Sequence, residues 1–230
     1  MLITLGIIGI VAALTIPTLI SKYNKKSVES KLVHFNALIN EAVRLSEIEN
    51  GEKSLWSYKG TEEFFTEYLS KYLKTVKTEK VSDLQYNVYL QNGTKFILSQ
   101  PQTENDIIHL KFCTEAEKCD GEKGNVGKNA FLFLFYKTNG QSINKEQYCN
   151  SPFMGEGTGF VPYMFVDTED DYWDYEKNCR QVVYPDDSEI KDILLSDTRY
   201  GCGSSSTNAY CTKIIQLNGW KIPDDYPIKF

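Results

Sequence analysis

The sequence predicts an α+β protein: a long N-terminal helix packed on an antiparallel β-sheet head, with a disulfide-rich C-terminal region. Three observations carry that prediction. Residues 1–20, MLITLGIIGIVAALTIPTLI, are uncharged and apolar, and from Val28 apolar residues recur at helical spacing toward Asn50-Gly51. Two β-forming runs flank Asn92-Gly93, a strong hairpin pair. Six cysteines, an even number, all fall from Cys113 onward.

The first block is long enough to matter physically. Twenty residues at about 1.5 Å each span roughly 30 Å, the thickness of a bilayer's hydrocarbon core. All charged residues of the 230-residue chain follow Ser21, so a single-pass anchor carrying a soluble head is expected. The organisation predicted is residues 1–21 as a transmembrane helix, 22–51 as its amphipathic continuation and 52–230 as a globular extracytoplasmic head. Gly6 and Gly9 are small positions that let helices approach closely in lipid, and Pro17 removes one backbone donor, which predicts a kink or loosening.

Beyond the proline, Val28, Leu32, Phe35, Ile39, Ala42 and Leu45 form an apolar stripe with Lys31, Asn36, Asn40, Glu41 and Glu47 between them. Gly51 ends the helix, and His34, beside the stripe, is expected to be packed or capping. Residues 61–74, TEEFFTEYLSKYLK, predict a second helix with Thr61 at its N-cap. Strands are expected at 87–90, 94–98, 107–112 and 130–136. Toward the C-terminus, Ser205, Ser206 and Thr207 are cap-type residues before a short helix over 210–217 that Asn218-Gly219 ends, after which Trp220 is expected to be buried.

Three polar stretches invite chemical readings. In the loop from Cys119 to Asn129, Asp120, Asn125 and Asn129 would offer oxygens to calcium, while the plainer reading is a turn needing positive φ angles. Gly155 to Gly159 holds three glycines but no following lysine, so it is a surface loop and not a phosphate loop. Asp167 to Glu176 holds six acids and no base among three aromatics, and lacks the central glycine of an EF-hand. It reads as a solvated acidic loop facing a partner.

The cysteines (Cys113, Cys119, Cys149, Cys179, Cys202, Cys211) include no C-x-x-C pair and lie far in sequence from the two histidines, His34 and His109. Disulfides are the better reading than zinc, and they place the head in an oxidising compartment outside the cytoplasm. Fifteen pairings are open; local closure favours Cys113–Cys119 and Cys202–Cys211, leaving Cys149–Cys179. The orientation conflicts with Lys22, Lys25 and Lys26, since basic flanks favour the cytoplasmic side. Both hold together if a more basic segment precedes Met1. A cleaved secretory signal would need a basic n-region, a shorter apolar stretch and a small-residue cleavage site, none of which is clear.

The ordered run MLITLGIIGIVAALTIP resembles the N-terminal helix of type IV pilins and type II secretion pseudopilins. Gly6, Gly9 and Pro17 match that family's glycines and helix-kinking proline. The run CTKIIQLNGWKIPDDYP, from Cys211 to Pro227, is similar to the tail of pseudopilin-like proteins, and the loop before the Phe-rich strand at 130–136 loosely so. The resemblance implies a pilin-like fold and a chain that natively begins upstream of Met1, with a basic leader removed by a prepilin peptidase. The family's conserved glutamate would fall immediately before Met1.

The resemblance further implies a structural subunit of a type IV pilus or type II secretion pseudopilus. Its helix would wait in the bacterial inner membrane and then pack into a filament core with other pilin subunits, through Leu2, Leu5, Gly6, Gly9, Ala13 and Pro17. The rival reading is a membrane-anchored extracytoplasmic binding protein or enzyme whose helix is only a tether. No catalytic constellation stands out, so no enzymatic activity and no cofactor are expected. The net charge of −6 argues against a nucleic-acid partner.

Overall fold

In the computed structural model, residues 2–100, 107–119, 126–137, 149, 159–165, 172–181, 183, 186–204 and 207–230 are described, with backbone alone at 2–9, 11–12 and 187–188. Helix α1 runs unbroken from Leu2 to Asn50 and carries Pro17 inside it. It stops where expected, at Gly51, whose φ of +80° lies in the left-handed region that glycine adopts without a Cβ penalty.

The expected stripe is buried at Val28, Leu32, Phe35, Ile39 and Ala42, and Val43 and Ser46 continue it. Leu45, expected in the stripe, is half-exposed. Helical geometry explains the difference, because at about 100° per residue Ser46 falls on the same side as Val28, whereas Leu45 lies roughly a quarter-turn away. His34 lies on the exposed side, not packed as expected.

The sheet is a meander whose six strands stand in sequence order, every neighbouring pair antiparallel. These are β1 (Thr75–Ser82), β2 (Gln85–Leu90), β3 (Lys95–Ser99), β4 (Ile107–Cys113), β5 (Ala130–Tyr136) and β6 (Phe160–Pro162). Asn92-Gly93 makes the β2–β3 turn, with Gly93 at φ +78° and Asn92 Oδ1 accepting from the Thr94 N–H at 3.1 Å and hydroxyl at 2.7 Å. Strand β1 and short β6 were not expected. The β1 residues TVKTEKVS are almost all exposed, so no buried face marks them; ladder bonds to β2 recruit them.

One sheet face takes α1. Phe35 stacks on Phe112 with centroids 4.0 Å apart and meets Phe96 and Phe133 at 5.6 and 5.8 Å, spanning β3, β4 and β5. Burying such a side chain contributes about 1.5–3 kcal/mol. Polar ties fix the helix on that face. The Asn40 amide donates to the Phe160 carbonyl at 3.0 Å while its oxygen accepts the Phe160 N–H at 2.7 Å, so one side chain serves β6 as a neighbouring strand would. The Ile222 N–H donates to Glu29 at 2.8 Å, and Lys31 donates to the Thr114 carbonyl at 2.9 Å.

The expected helix over 61–74 is only partly regular. Helix α2 covers Thr61–Phe64, then the chain widens into a π turn over Phe65–Leu69 and tightens to a 3-10 turn over Ser70–Tyr72. Phe64, Phe65, Tyr68 and Leu69 are all buried, and a wider turn lets two consecutive pairs face the same core. Thr61 is not the cap: Gly60 holds that position, the Thr61 hydroxyl is buried without a partner among the described residues, and Glu63 instead accepts the Lys59 N–H at 2.5 Å. Beside this turn Trp56 is 1% exposed and stacks on Tyr68 at 4.3 Å.

The opposite sheet face packs Leu132 and Leu134 beneath Met164, Tyr163 and Tyr210, with helix α3 (Asp187–Ser196) contributing Ile190 and Leu194. Helix α4 spans Cys211–Leu217 without a side-chain cap; Ser205 and Ser206 lie outside the described residues, and Thr207 instead donates to the Arg199 carbonyl at 2.7 Å. It ends in a Schellman arrangement: Gly219 at φ +67°, its N–H on the Gln216 carbonyl and the Trp220 N–H on that of Ile215. Trp220 is half-buried against the core, and Ile222 and Tyr226 take the buried positions instead.

Candidate functional site

The feature that sets this molecule apart is the division of α1 into two halves. From Val28 onward it is a docked core helix; before that, the described side chains are exposed except at Ser21, Lys25 and Ser27, which are half-exposed. Ile10, Leu14 and Leu19 are 64, 71 and 69% exposed, and Ile16, Ile20 and Tyr23 are exposed as well. At about 1.5 Å per residue, Leu2 to Ser27 projects for roughly 40 Å.

At about 100° per residue, Leu2, Leu5, Gly6, Gly9, Ala13 and Pro17 share one face of that projection. Ala13 and Pro17 are exposed, while the side chains of Leu2, Leu5, Gly6 and Gly9 lie outside the described residues. By sequence, isoleucines and leucines fall in the remaining directions over residues 2–20, so that stretch reads as apolar all round, ahead of Lys22, Lys25 and Lys26. A helix of that kind is stable only where apolar surroundings enclose it, in lipid or in a bundle. Among the described residues no helix is long and apolar enough to cross a membrane; residues 2–9, which supply the first half of the uncharged block, contribute no described side chains.

The cysteines pair as Cys113–Cys119, Cys149–Cys179 and Cys202–Cys211. The first closes the end of β4. The second pins a ribbon of β7 (Tyr172–Asp174) and β8 (Cys179–Gln181), and the third joins the turn after α3 to the start of α4. The last two cysteines are fully buried, with the Cys211 sulfur lying where a Cβ on Gly127 would come within 2.6 Å.

Of the calcium candidates, Asp120 and Asn125 lie outside the described residues. Asn129 is engaged through its backbone carbonyl, which accepts the Thr114 N–H at 2.9 Å. Gly127, at φ +89°, supplies the positive φ of the turn reading. Among the described residues no three His, Cys, Asp or Glu side chains gather as a metal site. The loop at 155–159 is described only at Gly159, where an added Cβ would lie 2.1 Å from Asn40 Oδ1.

Titratable groups in the head are tuned by burial. His109 on β4 has its pKa lowered by desolvation and lies 6.0 Å from the Tyr163 ring. Burial, then the neighbouring Tyr200 and Tyr210 hydroxyls, push Tyr163 far above its ordinary value. Tyr226 is also raised by burial, its hydroxyl donating to the Gly127 carbonyl at 2.7 Å. Among the described residues, no hydrogen bond joins either histidine to a hydroxyl or carboxylate. A groove of about 420 Å³ between α3, α4 and the tail is lined by Ile190, Leu194, Ile214, Leu217 and Pro223, with Lys191 and Asp225 3.5 Å apart at its rim. Helix α3 was not foreseen from sequence, and neither was this groove.

The chain matches a family of unknown function, DUF6613, over residues 18–159 and 153–230. It belongs to that family. No curated protein and no solved structure matches it, so the pilin resemblance rests on the residues quoted above.

Proposed function

We propose that this DUF6613 member is a structural subunit of a type IV pilus or type II secretion pseudopilus. The observation that carries the reading is the projecting half of α1, uncharged through residue 21 and apolar on every side, joined without a break to a half that is docked in the core. In this reading residues 1–21 form the membrane-spanning segment, held in the bacterial inner membrane with the head outside the cytoplasm. Assembly moves the segment from lipid into a bundle of identical helices, where close packing at Gly6 and Gly9 replaces lipid contacts. The three disulfides support the extracytoplasmic placement. Other pilin subunits, the inner membrane and, where a leader exists, a prepilin peptidase are the partners that follow.

The groove between α3 and α4 favours a second reading, a tethered extracytoplasmic binding head whose helix is only an anchor. Translation of the DNA upstream of Met1 separates the two. A basic leader ending in glycine, then phenylalanine and a glutamate directly before Met1, supports the filament subunit; a closed frame favours the tether. The direct test is crosslinking of the full chain in cells. Multimers that vanish with Gly9→Asp support the filament reading, and monomers alone sink it.

A further inference from the structure

Strand β1 is a free edge of the sheet. Among the described residues its only ladder neighbour is β2, so the other side of Thr75–Ser82 turns alternate backbone N–H and C=O groups outward. Every residue after Thr75 in the strand is exposed, with Val76 at 70% and Val81 at 54%. An unpaired edge of that length is a template for another strand unless something blunts it.

The usual blunting devices are weak here. β1 contains no proline. Its two irregularities lie between Thr75 and Lys77 and between Lys80 and Ser82, which leaves Lys77 to Lys80 running regularly against Tyr86 to Tyr89. Edge lysines repel a second strand, but Glu79 stands two residues from Lys77, on the same sheet face. Tyr89 of β2 steadies both: its hydroxyl donates to Glu79 at 3.2 Å, and Lys77 Nζ lies 5.2 Å from its ring centre. The two charges are 3.6 Å apart and their side chains are 60 and 45% exposed, so both remain open to a further partner. Lys80, on the other face, is held by Glu62 and Asp83 at 3.0 and 2.9 Å.

This charge pattern selects one register for self-pairing. Facing residues share a sheet face, so two antiparallel copies of one strand pair residues an even number apart about a two-fold axis normal to the sheet. An axis at Lys77, Glu79 or Lys80 sets that residue against its own copy, like charge on like. An axis at Thr78 sets Lys77 against Glu79 of the second copy and Glu79 against its Lys77, with threonine on threonine between them. The same axis lays the ends of the second strand beside exposed Val76 and Val81.

We propose that β1 pairs antiparallel with β1 of a second copy of this chain about a two-fold axis at Thr78, joining two six-stranded sheets into one. The contact is isologous: each copy gives and receives the same Lys77–Glu79 pair, and the dimer closes because each β1 is used once. It does not depend on the filament reading, since it links two heads whether their projecting helices pack together or only anchor them.

The test uses the full chain in its native membrane, with a photo-crosslinking amino acid at Thr78. Expected is a dimer whose crosslink maps to residues 76–80 of the second copy. Lys77→Glu alone and Glu79→Lys alone each set like charges opposite one another at two symmetry-related places, and each reduces the product by about tenfold. Co-expression of the two variants restores it, because every facing pair between unlike copies is then opposite in sign. An effect within one chain cannot produce that recovery, which also shows that both variants fold. A Thr78 probe that yields no dimer, maps outside residues 76–80 or joins a different protein overturns the proposal. So does a product that either single change leaves undiminished, or one that co-expression fails to restore.

Discussion

A double-mutant cycle at Asn40 and Gly159 tests how the docked half of α1 grips the sheet. Asn40 is half-buried, and its side chain both donates to and accepts from the Phe160 backbone, at 3.0 and 2.7 Å. Asn40→Ala removes both bonds and leaves the Phe160 N–H and C=O without them at the sheet edge, a loss of about 2–4 kcal/mol for two such groups. Gly159→Ala places a Cβ 2.1 Å from Asn40 Oδ1 and 3.1 Å from its Cγ, so the amide must leave its position and the same bonds break. Each single change is therefore expected to cost a similar amount. In the Asn40→Ala background the obstructing atoms are gone, and the next contact, Asn40 Cα at 3.7 Å, is ordinary. Adding Gly159→Ala there costs about 0.5 kcal/mol or less, giving a coupling of roughly 1.5–3 kcal/mol, well above the usual additivity error. Urea unfolding followed by Trp fluorescence measures the four midpoints. Costs that simply add would refute the bidentate account and leave Gly159 as an incidental loop residue.

Phe35→Ala should destabilise the head by about 3–5 kcal/mol because it empties the space stacked on Phe112, whereas Leu14→Ala on the projecting half should change the same urea midpoint by less than about 0.5 kcal/mol. Reduction should lower thermal stability by about 3 kcal/mol per opened loop, with Cys149–Cys179 the fastest pair to react, since Cys149 is half-buried while both members of the other two pairs are buried; mass spectrometry after timed alkylation ranks the three. Acid should weaken the fold. His109 is depressed in the folded chain, so the unfolded chain binds more protons, and its contribution is complete above its ordinary pKa of 6.5 and lost as pH falls below it. His109→Phe should flatten that part of the stability curve between pH 7 and 5; an unchanged slope would refute the assignment, because carboxylates held low by their partners, such as Glu49 beside Lys71 and Tyr72, lose their contribution only at lower pH.

What was legible in the sequence is what periodicity and turn chemistry encode. The Val28–Ala42 stripe, the Gly51 stop and the Asn92-Gly93 hairpin are local signals, and each survives folding. Strand β1 was hidden because a strand exposed on both faces shows no alternation, and its only mark is its pairing with β2. The irregular turn at 65–69 was hidden for the opposite reason. Its sequence is an acceptable helix, and only the demand that Phe64, Phe65, Tyr68 and Leu69 share one core alters the winding. Trp220 was expected inside by size alone, but the Schellman turn directs its backbone to φ +62° and leaves the interior to Ile222. In the candidate site, the apolar block was legible from composition; that it stands clear of the head follows only from where Val28 begins to pack.

The tail has a bearing on timing. Ile222 donates to Glu29, Tyr226 is buried against Gly127, and Ile228 and Phe230 pack on the main core, so residues from opposite ends of the chain seal one interior. A chain emerging from its N-terminal side therefore offers its α1 stripe and Phe-rich strands uncovered until residues 222–230 arrive. Until then the core stays open to chaperones, proteases and thiol oxidants, and a nascent chain stalled before Ile222 would stay in that state.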